Sequence, residues 1–378
     1  MNNKIKIGVV STVVYPFVKG GSEKRFHEVM TRLAERGHEV TIYSHHWWDG
    51  PPEMEFEGMH LHAIDKQREL YVEGGRRSIS GSLLFAWRTL TKIWGETDQH
   101  DVLVTSVAPY FHVFPLVFFS MLFDVSVVVI WHEVWDDYWD KHLDRMGFGG
   151  KVVERLVASI PYHSIAVSKL TADRLAAIGM ARENISVIPN GVDLNKIREK
   201  KTVSDGFDVL FVGRLIEDKN VDMLLQAFDG ISVDQQLKLG IIGDGPKRDA
   251  LETQAQELSD DTDVTFLGFV EDYDEVLSYM QSADVFVFPS VREGFGITVL
   301  EAMASGCTVV TVDHPHTATS EVVADAGFVA EPTVAGLRKE MRRAVNGDVP
   351  PTVPQERAAK FDWDVIANQV EELYEEVI

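Results

Sequence analysis

Two carboxylates, Glu293 and Glu301, stand eight positions apart in the stretch Asp284–Val310. The apolar run at 284–289 predicts a strand buried on both faces, and Gly306 predicts the end of the helix that carries Glu301. Glu293 lies in the loop between them, so both carboxylates are expected at the carboxyl end of a parallel strand, where open α/β sheets bind ligands. The backbone amides around the helix start could bind an anion. They belong to Gly294, Phe295, Gly296, Ile297 and Thr298. The alternative is a solvated loop glutamate and a charge on the helix surface.

Two cations, Arg214 and Lys219, follow the predicted strand Asp208–Val212 and precede a predicted helix. At the end of a buried strand they could bind both phosphates of a nucleotide diphosphate, because Arg makes forked contacts and Lys acts as a point charge. A surface salt bridge to Glu217 or Asp218 is the alternative.

A histidine, His132, directly follows the β-rich run Val127–Trp131. At the carboxyl end of a strand its side chain would be directed toward the ligand-binding crevice of the sheet. The alternative is a structural histidine that is hydrogen-bonded to Asp136 or Asp137.

A further candidate loop contains Gly20, Gly21 and Ser22, after the predicted first strand Ile5–Thr12. The two glycines would let a ligand approach the backbone, and Ser22 could cap the next helix, whose first amides would then face an anion. An ordinary tight turn explains the same residues equally well.

The composition limits the classes of function. A chain of 378 residues predicts two domains, and its net charge of −23 argues against nucleic-acid binding because the surface repels phosphate. This acidity would suit a salt-rich cytoplasm, but many mesophile enzymes are acidic too, so a salt-rich and an ordinary cytoplasm both stay open. The single cysteine, Cys307, excludes a disulfide within the chain and suits a reducing cytosol. The first ten residues lead directly into a strand and predict no signal peptide.

The longest uncharged run, 102–123, is interrupted by Pro109 and Pro115. A membrane span needs about 20 apolar residues in one continuous helix. The run therefore predicts a buried strand and a helix, Phe114–Phe123, that covers the sheet, and no transmembrane span.

Strands alternate with helices in both halves, which predicts two doubly wound α/β domains. The expected division is a first domain at 1–190, a linker at 191–205, a second domain at 206–360 and a C-terminal helix at 361–378. This helix carries an apolar stripe at helical spacing: Trp363, Ile366, Val370, Leu373 and Val377.

The stretch Phe288–Gly306 reads F-P-S-x-x-E-G-F-G-x-x-x-L-E-A-M-A-x-G and resembles glycosyltransferase family 4, whose retaining members carry this E-x(7)-E pair. Shorter sequences also resemble the family: P-N-G-V-D at 189–193, G-R-L-x-x-x-K at 213–219 and G-D-G-P at 243–246. The resemblance covers nearly the whole chain and is weakest at 47–99. It implies a GT-B fold, in which two Rossmann-like doubly wound domains face a central cleft and the C-terminal helix returns to the first domain.

The resemblance also implies roles for individual residues. Glu301 would accept hydrogen bonds from the ribose hydroxyls, Glu293 would accept one from a donor-sugar hydroxyl, and His132 would touch the donor sugar. Arg214 and Lys219 would bind the diphosphate and stabilise it as a leaving group. The expected catalytic residues are therefore His132, Glu293, Arg214 and Lys219.

Donor binding would involve further residues. The main chain at Phe269 and Val270 would contact the nucleobase, and the Gly20–Ser22 loop and the amides of Gly294–Thr298 would contact the donor. Side-chain identities do not indicate which nucleobase such backbone contacts would select, so UDP and GDP donors are both retained.

The implied reaction moves a hexose-type sugar from a UDP- or GDP-sugar, with retention, to a glycan, lipid-linked or small-molecule acceptor. Two alternatives remain: a GT-B epimerase or hydrolase of sugar nucleotides, and a non-catalytic sugar-nucleotide-binding protein. The linkage formed and the oligomeric state stay open.

No cofactor and no metal are expected, because His314 and His316 lack a third ligand at convincing spacing. Arg76 and Arg77, beside Gly74 and Gly75, could reach an acceptor phosphate or be solvated loop charges. The predicted location is the cytoplasm, with the inner face of the membrane and peripheral contact to it as options.

Overall fold

The computed structural model describes residues 4–18, 20–68, 71–72, 76–143, 147–231, 236–259 and 262–378. Contacts between Cα atoms divide the chain into two units: the first comprises Met1–Pro189 and Trp363–Ile378, and the second comprises Asn190–Asp362. The segment expected as a linker, 191–205, thus groups with the second unit, where part of it is helical. Gly74 and Gly75 lie outside the described residues.

The first unit is built on a parallel sheet whose central strands are mostly apolar and buried except at one end. Its strands are β1 (Lys6–Val10), β2 (Glu39–His46), β3 (Glu53–Phe56), β4 (Met59–Lys66), β5 (Tyr71–Val72), β6 (Arg76–Arg77), β7 (Val102–Ser106), β8 (Ser126–Trp131), β9 (His163–Ala166) and β10 (Ile185–Val187). Among the described residues, the main sheet has the order β10-β9-β8-β7-β1-β2-β4-β3, and β5 pairs with β6 separately. Neighbours in the main sheet are parallel except β3 and β4.

Helices cover both faces of this sheet. They are α1 (Gly21–Glu35), α2 (Ile79–Ile93), α3 (Val113–Leu122), α4 (Tyr138–Leu143), α5 (Gly147–Ala158) and α6 (Lys169–Ala177). The chain adds β2 and β4 on one side of β1 and then β7 to β10 on the other. Because parallel crossovers are right-handed, α1 lies on one face, whereas α2, α3, α5 and α6 lie on the opposite face. A single core cluster joins Phe85, Leu116 and Val157 of α2, α3 and α5 to sheet residues such as Trp131.

The uncharged run at 102–123 forms β7 and α3, so it supplies a buried strand and a covering helix. In the described part of the chain, no helix is long and apolar enough to cross a membrane.

The second unit contains a parallel sheet with strands β11 (Val209–Val212), β12 (Lys238–Ile242), β13 (Asp263–Gly268), β14 (Val285–Phe288), β15 (Thr308–Val312) and β16 (Gly327–Ala330). Its order is β13-β12-β11-β14-β15-β16. The helices are α7 (Leu194–Arg198), α8 (Val221–Asp229), α9 (Arg248–Gln256), α10 (Tyr273–Ser282), α11 (Ile297–Ser305), α12 (Thr319–Val323), α13 (Val334–Val345) and α14 (Pro354–Ala358). The chain adds strands in one direction from β11 and in the other from β14, so the topological switch point lies between these two neighbours.

The last helix, α15 (Trp363–Val377), belongs to the first unit. Its apolar face buries Trp363, Ile366, Val370 and Leu373, while the Arg36 Nη1 atom of α1 lies 2.5 Å from Glu371 Oε2. Both units are therefore doubly wound α/β structures, as the sequence predicts.

The side chains of Asp193 and Ser168 cap the starts of α7 and α6, and the helix end predicted at Gly306 is confirmed. The first two side chains accept hydrogen bonds from the backbone N–H groups of Lys196 and Thr171, and Gly306 ends α11 with φ near +100°.

Candidate active site

The loops that follow β11 and β14 bring Lys219 and Glu293 together. Their strands are neighbours at the switch point of the sheet, so the loops emerge side by side. Lys219 Nζ lies 2.5 Å from Glu293 Oε2 and 4.7 Å from the centre of the Phe288 ring. The two paired side chains are 14% and 26% exposed, so the pair is partly shielded from water. The alternative partners of Lys219, Glu217 and Asp218, are not the ones that its Nζ contacts.

The backbone holds Glu293 in place. Its N–H donates to the His316 carbonyl at 3.0 Å, and its carbonyl accepts from the N–H of Ala318 at 2.8 Å. Nearby, the Ser290 hydroxyl is buried and donates to the carbonyls of Asp218 and Arg292. The Asp218 contact ties the loop of Lys219 to the loop of Glu293, so neither loop positions its charge alone.

Backbone donors surround the start of α11. Gly296 has φ near +93°, and an added Cβ would lie 2.9 Å from Thr319 Cγ2, so this turn requires glycine. The first turn of α11 contains no acidic residue and no side-chain cap. Within the described residues, the N–H groups from Gly294 to Thr298 have no hydrogen-bond acceptor. These amides can therefore receive an anion.

The second carboxylate, Glu301, is buried on α11, with 1% of its surface exposed. The alternative of a charge on the helix surface is therefore wrong for Glu301. The helix α10 lies against α11, and its first residue, Tyr273, donates its hydroxyl hydrogen to Glu301 Oε2. The burial follows from this neighbouring helix, which a pattern within α11 alone does not reveal.

Three glycine-containing loops interlock at the carboxyl ends of β11, β12 and β13. The N–H of Gly213 donates to Ile242, and the N–H of Gly243 donates to Gly268. A Cβ on Gly243 would overlap the Gly213 carbonyl oxygen, so the close approach of these loops depends on glycine.

This arrangement exposes Arg214 and Phe269. The Arg214 side chain makes no hydrogen bond or ion pair with any residue that the structure describes. Phe269 is 72% exposed, and Val270 beside it is half-buried. A free guanidinium and accessible backbone at adjacent strand ends are suited to binding a phosphorylated ligand.

In the first unit, His132 follows β8 and is held neutral. Its Nε2 atom is buried and has no hydrogen-bond partner among the described residues, whereas Asp136 and Asp137 pair with Arg155 and Lys151. The interpretation of His132 as hydrogen-bonded to Asp136 or Asp137 is therefore not supported. Burial, assisted by the nearby positive charge of Arg25, lowers the pKa of His132 to about 3.

Arg25 is itself buried on α1, and burial lowers its pKa to about 10. Its Nη1 donates to the Pro189 carbonyl at 2.5 Å, and Tyr374 of α15 lies close enough to interact electrostatically. Sequence reasoning missed Arg25, because a lone arginine in a helix pattern gives no signal of burial.

The loop at Gly20–Ser22 differs from its prediction. Helix α1 begins at Gly21, so Gly20 is the N-cap and Ser22 lies within the first turn; the predicted cap by Ser22 is wrong. The carboxylate of Glu23 is next to Gly20, where an added Cβ would overlap it. The start of α1 thus carries its own acidic residue, unlike the start of α11.

Sequence reasoning also missed Glu154 on α5, which is fully buried and organises the segment after His132. Its carboxylate accepts hydrogen bonds from the backbone N–H groups of Trp135 and Asp136, from Trp139 Nε1 and from the Tyr110 hydroxyl, at 2.7–3.1 Å. Among the described residues, no group of three or more His, Cys, Asp or Glu is placed to hold a metal ion. His314 and His316 instead pack their rings together, with centres 5.3 Å apart.

Two family models match consecutive parts of the chain. The model described as Glycosyltransferase Family 4 matches residues 19–196, and the model described as Glycosyl transferases group 1 matches residues 193–361. Together they reach both units.

Curated relatives match mainly over part of their length. An uncharacterized glycosyltransferase of Methanocaldococcus jannaschii is 38% identical over 39% of this chain and 41% of its own. The capsular polysaccharide biosynthesis glycosyltransferase CapM of Staphylococcus aureus is 30% identical over 48% of this chain and 51% of its own. A phosphatidyl-myo-inositol mannosyltransferase of Mycobacterium leprae is 30% identical over 57% of this chain and 61% of its own. The chain therefore spans about two fifths to three fifths of these relatives.

Solved structures match over the whole chain. Sucrose-phosphate synthase from Thermosynechococcus elongatus superposes with a TM-score of 0.78 at 19% identity and covers 99% of both chains. Anabaena HepE in complex with UDP and glucose gives 0.72 at 19% identity, over 98% of this chain and 100% of its own. At these identities the likeness shows the fold, and the predicted GT-B fold class is confirmed. The matched models, the glycosyltransferase relatives and the fold agree that the chain belongs to glycosyltransferase family 4.

Proposed function

We propose that this protein is a retaining glycosyltransferase that moves a hexose-type sugar from a UDP- or GDP-sugar to a glycan, lipid-linked or small-molecule acceptor. The observation that carries the proposal is the Lys219–Glu293 pair at the switch point of the second sheet, beside the amides of 294–298. The named relatives include a mannosyltransferase, which agrees with a hexose donor.

The charges of the site suit a diphosphate leaving group. Lys219 has three N–H donors and Glu293 occupies one, so the ammonium can also contact a phosphate oxygen. Arg214 is free to make a forked contact, and the amides of 294–298 add neutral donors. In a chain of net charge −23, these local groups must overcome the repulsion between the protein and a dianion.

Glu293 and Glu301 would bind different parts of the donor. Glu293 is partly exposed and has a second carboxylate oxygen that can accept a bond from a sugar hydroxyl. Glu301 is buried beside Tyr273 and would accept from the ribose. Neutral His132, in the first unit, would contact the donor sugar as an uncharged hydrogen-bonding group.

In the proposed reaction the diphosphate takes the acceptor's proton on the face from which it leaves, so the sugar retains its anomeric configuration. The protein then contributes positioning and stabilisation of the charge on the leaving group. No resident cofactor is proposed, because the cations of the site are placed to neutralise the diphosphate. A cytoplasmic location is proposed because the single cysteine, Cys307, is buried and unpaired.

The experiment has two stages. UDP- and GDP-hexoses are first screened for a rise in Tm, because a bound ligand stabilises the folded state. The stabilising donor is then incubated with candidate acceptors, nucleotide release is measured, and the product anomer is assigned by NMR. Glu293→Gln should lower turnover, whereas the exposed control Glu356→Gln should not.

Several results would contradict the proposal. Stabilisation by no sugar nucleotide would remove the donor assignment. Equal nucleotide release with and without acceptor would indicate a hydrolase, and an inverted product would refute retention.

A further inference from the structure

The helices on one face of the first sheet present apolar side chains to solvent. On α2 and its C-cap, Leu83, Trp87 and Trp94 are exposed, with Trp87 at 59%. They recur at spacings of four and seven residues and therefore form one stripe. The opposite side of the same helix buries Phe85 and Ile93 in the core. An ordinary surface helix carries polar residues where α2 carries this stripe.

The neighbouring helix α3 repeats the pattern. Phe114, Phe118, Met121 and Leu122 are exposed, and Met121 reaches 70%. The rings of Trp94 and Phe118 lie 5.9 Å apart between centres, so the two stripes are adjacent and form one surface. We name this surface the α2–α3 face. Contiguous apolar surface of this kind marks an interaction site on a water-soluble domain.

A third helix on this side of the sheet extends the apolar character. On α5, Phe148, Val152 and Leu156 are exposed at intervals of four residues. Its basic residues Lys151 and Arg155 are already paired with aspartates, so α5 adds apolar area and little charge.

The charges on the α2–α3 face are opposite in sign to those of the whole chain. The chain has 59 acidic and 36 basic residues, yet α2 contains two basic residues, Arg88 and Lys92, and no acidic one. Within it, Lys92 is exposed, and Arg88 is partly exposed beside Asp65. Helix α3 has no charged residue, and the first acids after the two helices are Glu96 and Asp124. The acidic residues that give the chain its net charge of −23 are therefore absent from α2 and α3.

The opposite face of the same sheet is acidic. Helix α15 packs against α1 and has no basic residue. Its Glu372, Glu375 and Glu376 are exposed, whereas Asp364 and Glu371 are paired with Arg32 and Arg36 at the end of α1. An anionic surface would repel that side and attract Lys92 and Arg88. The charge distribution thus favours a single orientation toward such a surface.

We propose that the α2–α3 face docks the protein on an anionic lipid surface. Tryptophan is enriched where hydrocarbon meets lipid headgroups, and Trp87 and Trp94 stand on this face beside basic residues. The apolar stripes enter the interface without any helix crossing the membrane. The docking is independent of sugar transfer and requires no donor.

The test is co-sedimentation of the full chain with vesicles. Phosphatidylcholine vesicles that contain phosphatidylglycerol are compared with vesicles of phosphatidylcholine alone. The wild type should bind the anionic vesicles more tightly, and added salt should weaken this preference. Trp87→Ser with Met121→Ser should lower affinity by about tenfold or more, because both side chains lose apolar contact with the bilayer. Lys92→Glu should remove most of the preference for anionic vesicles.

The matched control is Val349→Ser, which removes an apolar side chain that is 80% exposed in the second unit. It should bind as the wild type does, and all variants should keep the wild-type Tm because the changed residues are exposed. Failure of the wild type to bind anionic vesicles would overturn the proposal. Binding of the Trp87–Met121 double variant to these vesicles as tightly as the wild type would also overturn it. Equal binding to both vesicle types would overturn the charge argument. A wild-type dimer that this variant dissociates, without vesicle binding, would assign the face to a second copy of the chain instead.

Discussion

Replacing Lys219 by Met removes the ammonium and keeps most of the side-chain volume over the Phe288 ring. A phosphate oxygen about 4 Å from Nζ would gain roughly 4 kcal/mol at an effective dielectric constant near 20. Desolvation and competition from Glu293, whose Oε2 is 2.5 Å away, reduce this gain. A net loss of about 1.5–3 kcal/mol is expected for a hydrogen bond to a charged group. At about 1.4 kcal/mol per tenfold, the Kd for a nucleoside diphosphate should rise by about 10- to 150-fold.

The Kd values for UDP and GDP are measured by titration calorimetry on wild type, Lys219→Met and a control. The control is Lys339→Met, because Lys339 is also ion-paired but 74% exposed. Folding should survive in both variants, since Glu293 is 26% exposed and can be solvated. An unchanged Kd for both nucleotides in Lys219→Met would refute the diphosphate assignment.

Four further predictions concern Glu301, His132 and Glu154. Glu301→Gln should reduce the preference for ribonucleotide over 2′-deoxyribonucleotide, measured as the ratio of the two Kd values; a wild type without this preference would contradict the ribose role. His132→Ala should lower the transfer rate by about 10²-fold or more while nucleotide affinity stays the same, and equal losses in both would contradict a contact to the sugar alone. The folded pKa of His132, about 3, lies below its unfolded value, so the free energy of unfolding should fall as pH drops below about 6.5, by up to about 1.4 kcal/mol per pH unit. When this free energy is measured by denaturant unfolding at several pH values, His132→Ala should lose less of it per pH unit than the wild type. An identical loss per pH unit would contradict a neutral buried histidine. Glu154→Gln should destabilise the first unit by about 1–3 kcal/mol, because the amide group would face donors that now meet a carboxylate; the exposed control Glu372→Gln should not.

The sequence predicts the separate parts of the site better than their contacts. Glu293, Lys219 and Arg214 can each be found from the strand-end position of their motifs. The ion pair of the first two joins residues 74 positions apart, and it depends on β11 and β14 being neighbours. No local pattern contains that information.

Most of the remaining differences between the sequence predictions and the structure arise because side chains are buried by segments that are distant in the sequence. Glu301 is covered by Tyr273, and His132 is influenced by Arg25, which lies more than 100 positions away. The helix predicted at Phe114–Phe123 covers the sheet as expected, through its buried residues Leu116 and Phe119. A helix that is apolar all round does not reveal which residues stay exposed, so Phe118 and Met121 could be identified only in three dimensions.

The assignment of α15 to the first unit has a consequence for synthesis and dissection. The second unit, Asn190–Asp362, is one uninterrupted segment inserted between two parts of the first. On the ribosome it can complete its fold before Trp363 emerges, whereas the first unit must wait for the last helix to pack against α1. A fragment ending at Pro189 would therefore leave the face of α1 that α15 covers open to water. Production of the first unit alone requires a short peptide that joins Pro189 directly to Trp363, while the second unit can be excised with two cuts.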